Sequence, residues 1–78
     1  MKKIKKHCEN TIEEMKSYIF DRAENYATDG LTEQDKKDLL AVETVGIVAE
    51  FDPSDLECHN FDLGKLRMAE EILALIEK

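Results

Sequence analysis

The chain has 78 residues, 42% apolar and 37% charged, with a formal net charge of −7. That length holds one small domain at most, with a marginal core that leaves room for a homodimer. Two cysteines, one Pro and three Gly exclude a disulfide scaffold and a many-turned all-β chain, and point to a reducing, cytoplasmic compartment. No run approaches the ~18 apolar residues of a membrane span, and the basic start, Met1 to Lys6, is followed by His7-Cys8-Glu9-Asn10 rather than the apolar stretch of a signal peptide.

The first predicted helix covers about 3–28. Ile4, Cys8, Ile12, Met15, Ile19, Ala23 and Tyr26 recur at steps of three and four, which stacks them on one stripe. Asp29-Gly30 is the expected stop, since glycine takes the left-handed position after a helix without strain. A second helix is expected over 32–51. Thr32 is its hydroxyl cap, with Glu33 and Asp35 at the positive end of the helix dipole. Leu39, Leu40, Val42, Val45, Gly46, Ala49 and Phe51 form the inward side. Thr44-Val45-Gly46-Ile47-Val48 also reads as a strand, but the chain offers it no second strand to pair with. Within a helix, Gly46 costs about 1 kcal/mol against Ala, which suggests a close approach there.

The following connection carries two helix-start signals. Phe51-Asp52-Pro53-Ser54-Asp55-Leu56 reads as a cap, a proline at the first helical position, and a hydrophobic staple between Phe51 and Leu56. A one-turn helix over 53–58 is therefore expected. Phe61-Asp62-Leu63-Gly64-Lys65-Leu66 repeats the pattern with Asp62 as cap, starting a last helix over 62–77. Together these elements predict an all-α fold, a small three-helix up-down-up bundle forming a single helical domain over 1–78, with a one-turn helix in the second connection.

The charge is unevenly spread. Asp38, Glu43, Glu50, Asp52, Asp55, Glu57 and Asp62 lie between Asp38 and Gly64 with no Lys or Arg among them, while elsewhere acids and bases balance. Asp52 and Asp62 have a capping role and Asp55 a first-turn role, and Glu43 and Glu50 also suit a solvated helix face. Glu43, Glu50, Asp52, Asp55 and Glu57 are nevertheless the candidate partner-binding residues. Unopposed carboxylates at one end of a bundle steer a basic protein surface and reject wrong partners. Direct nucleic-acid binding is disfavoured, because it depends on Lys and Arg neutralising phosphates.

His7-Cys8 and Cys58-His59 are the one arrangement with metal-ligand chemistry. Cys8, Cys58 and His59 would be the zinc ligands of a metal-stabilised module, but adjacent residues on a helix diverge by about 100°, unlike ligand pairs one turn apart. Buried cysteines acting as small apolar residues are the simpler expectation. No nucleophile elbow, phosphate loop or metalloprotease motif is present, so no enzyme activity and no cofactor are expected. The sequence thus predicts a small acidic protein-binding module, an inhibitor or adaptor for a partner with a basic surface. By analogy of size and charge alone, phage and mobile-element (anti-CRISPR-like) inhibitors of host nucleic-acid machines belong to this class. The alternative is a structural, self-assembling homodimer with the Ile4, Cys8, Ile12 stripe as its seam.

Overall fold

The computed structural model describes residues 2–41 and 43–77. Among these residues three α-helices form, α1 (Lys2–Ala23), α2 (Glu33–Leu39) and α3 (Pro53–Glu77), with a short 3-10 helix (Gly46–Glu50) between α2 and α3. The all-α, three-helix architecture matches the expectation from sequence, and a short helix does lie in the second connection, over Gly46–Glu50 rather than at the expected 53–58. The chain path differs from an even up-down-up alternation. Lys5 meets Glu77, Arg22 meets Asp62 and Tyr26 meets Asp55, so α1 and α3 run antiparallel as one long hairpin. The molecule is 41 Å in its longest dimension, and α2 with the 3-10 helix fills in beside one half of the hairpin.

The expected 32–51 helix is interrupted, and Gly46 is the reason. Its φ is +62°, outside the helical region, and a Cβ there would collide with the Asp38 carboxylate. The close approach foreseen at Gly46 is therefore to the Asp38 side chain, in a left-handed bend that only glycine takes cheaply. The β-branched pair before it, Thr44 and Val45, further disfavours continuing a helix. Val42, expected on the buried side, lies outside the described residues. At the start of α2, Thr32 caps as anticipated: its hydroxyl accepts from the Asp35 amide at 3.0 Å and Asp35 Oδ2 accepts from the Thr32 amide at 3.1 Å. At the end of α2, Arg67 of α3 donates to the Leu40 carbonyl, placing a cation where the helix dipole is negative.

α1 stops at Ala23 rather than near 28. Beyond it the backbone tightens, with Asn25 bonding back to Arg22, Tyr26 to Ala23 and Ala27 to Glu24, and this turn delivers Tyr26 against α3. Gly30 does adopt the positive φ, +85°, but several residues past the helix end. The two predicted helices 53–58 and 62–77 are one continuous helix. Asp62 is not a cap, and Phe61, expected to staple against Leu66, is 67% exposed. The periodic burial of Leu56, His59, Leu63 and Leu66 carries the helix through this region.

The core consists of Met15, Ile19 and Ala23 from α1, Leu39 from α2, Ile47, Val48 and Phe51 from the 3-10 segment, and Leu63 and Leu66 from α3. Among the described residues, no member of it precedes Met15 or follows Leu66. The far half of the hairpin, which buries Cys8 and Ala69, is thus two helices deep where the other half is three elements deep.

Candidate functional site

The corner where the chain enters α3 gathers most of the candidate acids. Asp52 caps the helix as expected, Oδ1 accepting from the Asp55 amide at 2.8 Å. Pro53 follows at the first helical position, where its missing N–H costs nothing. Tyr26 closes the corner from the other side. Its hydroxyl donates to Asp55 Oδ2 and accepts from the Asp52 amide at 3.2 Å, and its ring lies 4.7 Å from that of Phe51. The Asp52 amide favours the phenolate, but the bond to Asp55, desolvation and the negative charge of both aspartates outweigh it and raise the Tyr26 phenol above its ordinary 10.0.

Behind this corner lies a buried polar cluster. Arg22 Nη2 donates to Asp62 Oδ2 at 2.8 Å, with 19% and 11% of the two side chains exposed. His59 is 1% exposed and packs T-shaped against the Phe51 ring, the centroids 5.4 Å apart and the planes at 86°. Its Nδ1, like Arg22 Nη1, has no hydrogen-bond partner among the described residues. Burial, then the positive charge of Arg22, hold His59 below its ordinary 6.5 against the opposing pull of Asp62.

The five candidate carboxylates are not equivalent. Asp52 and Asp55 are engaged in capping and in the Tyr26 hydrogen bond. Glu50 and Glu57 are exposed on either side of this corner, and Glu50 lines an open groove with Tyr26, Asp29, Gly30 and Asp35. Glu43, also exposed, belongs to the bend between α2 and the 3-10 helix, whose start is tied to Arg67, and stands apart from the other four. Among the described residues none of the five takes part in a salt bridge. Lys2, Lys3, Lys5 and Lys6 begin α1, a helix of 22 residues or about 33 Å, so they occupy the opposite end of the molecule from Tyr26 and the acidic corner.

The possible zinc ligands are not brought together. Cys8 is buried near the open end of the hairpin while His59 lies level with the end of α1 and Cys58 is exposed. The antiparallel pairing of α1 and α3 puts Phe51 against Tyr26, past the end of α1 farthest from Cys8. Among the described residues no group of three His, Cys, Asp or Glu side chains is placed to hold a metal ion. No described helix is long and apolar enough to cross a membrane. Compared with protein-family models, curated proteins and solved structures, the chain matches none.

Tyr26 and Arg22 were not among the sequence candidates, and Asp62 stood only as a cap. One signal was present: Asp55, His59 and Asp62 recur at steps of four and three, so on a single helix they share a stripe close to that of Leu63 and Leu66. Polar residues on a buried stripe need partners, and Arg22 and Tyr26 provide them.

Proposed function

We propose that this protein is an acidic binding module that captures a partner protein through that partner's basic surface, as an inhibitor or adaptor in the cytoplasm. The observation that carries the proposal is the separation of charge along the molecule. Glu50, Asp52 and Glu57 stand exposed at one end, outside any salt bridge among the described residues, and the lysine cluster is at the other. Asp52 and Asp55 sit at the positive end of the α3 dipole, which lowers the cost of gathering acids there. Glu50 and Glu57 have no such structural duty, and they carry the recognition.

Unpaired carboxylates gathered at one end orient a cationic partner before contact and accelerate its arrival. Where the partner's basic surface holds nucleic acid, the carboxylates occupy the positions of phosphates and the protein acts as a competitor. The test is capture from a lysate of the native host at low and at high salt. A basic protein retained at low salt and released at high salt supports the proposal, because exposed charges are screened within a Debye length. Capture indifferent to salt, or of acidic proteins, overturns it.

A further inference from the structure

A second surface, distinct from the acidic end, has the pattern of a helix–helix seam. On α3, Phe61, Lys65, Met68, Ile72 and Leu75 are spaced four, three, four and three, the apolar spacing of a coiled coil. Phe61, Met68 and Leu75 are 67%, 58% and 71% exposed, and the Lys65 ammonium lies over the Phe61 ring at 5.6 Å. On α1, Ile4, His7, Thr11, Glu14 and Tyr18 repeat the rhythm, with Ile4 and Tyr18 about half exposed. The two stripes share a face: His7, Thr11 and Glu14 line one open groove of about 330 Å³ with Lys65, Met68 and Ile72. Among the described residues, the exposed large apolar side chains all belong to these stripes except Val45.

We propose that this face is the seam of a homodimer, in which a second copy docks antiparallel about a twofold axis passing near Thr11 and the groove between Met68 and Ile72. The face is self-complementary about that axis, as a twofold contact requires. Residues equally far to either side of Thr11 meet their counterparts. Tyr18 then reaches Ile4 of the second copy, Met68 reaches Ile72, and the acidic Glu14 reaches His7. A face 41 Å long and two helices wide presents on the order of 800 Å², the area per partner of a standard stable interface. The result is a four-helix arrangement that covers the half of the hairpin lacking a third layer. The homodimer seam expected from sequence at Ile4, Cys8 and Ile12 thus moves round α1: Cys8 is already buried within the chain and Ile12 packs on its core.

Sedimentation equilibrium of the full chain tests the proposal, with Met68→Glu/Leu75→Glu as the disrupting variant, since both side chains are exposed and their replacement leaves the core intact. The expected result is a wild type with the mass of two chains and a variant with the mass of one, both equally helical by circular dichroism. A monomeric wild type at every concentration, or a dimer that the variant leaves unchanged, overturns it. Thr11→Cys in a Cys58→Ser background tests the axis directly. Mild oxidation is expected to cross-link this variant across the twofold into a covalent dimer; a dimer that the introduced thiol fails to cross-link refutes the proposed pairing.

Discussion

Removing the carboxylate of Asp62 leaves the Arg22 guanidinium largely buried with its partner gone. The pair is joined at 2.8 Å with 11% to 19% of the side chains exposed, and among the described residues Arg22 Nη1 already lacks a partner, so the guanidinium would be left without its counter-charge. Breaking a buried pair from one side costs about 3–5 kcal/mol. A domain of this length has roughly 4–12 kcal/mol in total, so Asp62→Ala is expected to lose between a quarter and all of its stability. Replacing both partners, as Arg22→Met/Asp62→Leu, removes the desolvation penalty along with the attraction, and the double variant is expected within about 1–2 kcal/mol of wild type or above it. Urea unfolding followed by far-UV circular dichroism measures both, with equal slopes confirming that the same surface is exposed. A single variant that loses less than about 1 kcal/mol, or a double variant weaker than the single, would refute the reasoning and with it the antiparallel pairing of α1 and α3.

The glycines separate cleanly: Gly46→Ala is expected to cost about 1–3 kcal/mol through its left-handed backbone and the Asp38 side chain. Gly64→Ala, in α3 with open space around a new Cβ, is expected to stabilise by about 0.5–1 kcal/mol; thermal melts of the two variants should move in opposite directions. Because His59 is held below its ordinary value, the unfolded chain binds its proton first as pH falls. Stability is therefore fullest above about 6.5 and declines below it, by at most about 1.4 kcal/mol per pH unit, until the lowered folded value is passed. Urea midpoints between pH 8 and pH 5 follow this, and His59→Leu is expected to flatten the profile in that window; an unchanged slope would exclude His59 as its source.

The helical class was legible because apolar residues recur at steps of three and four through most of the chain, and the caps at Thr32 and Asp52 were legible because their chemistry is local. The path of the chain was not. Whether Gly46 is a costly helix interior or a left-handed bend depends on where Asp38 lies, which no local pattern reveals. Phe61-Asp62 has the composition of a helix start, yet the stripe of Leu56, His59, Leu63 and Leu66 runs through it unbroken; local capping chemistry and long-range periodicity disagreed, and burial decided for periodicity. The concentration of acids was plain in the sequence, but the distinction among them was not. Only the position of Tyr26, carried there by the early end of α1, separates Asp55, which is hydrogen-bonded, from Glu50 and Glu57, which are free of it.

The most direct test of the acidic end compares two reversals on the tagged, folded protein. One carries Glu50→Lys/Glu57→Lys, at exposed positions without structural partners; the other carries Lys2→Glu/Lys6→Glu, at the far end of the molecule. With helicity verified for both, capture of the partner from host lysate at low salt is predicted to vanish in the first and to persist in the second. Undiminished capture by Glu50→Lys/Glu57→Lys, or loss confined to the lysine variant, would contradict the account.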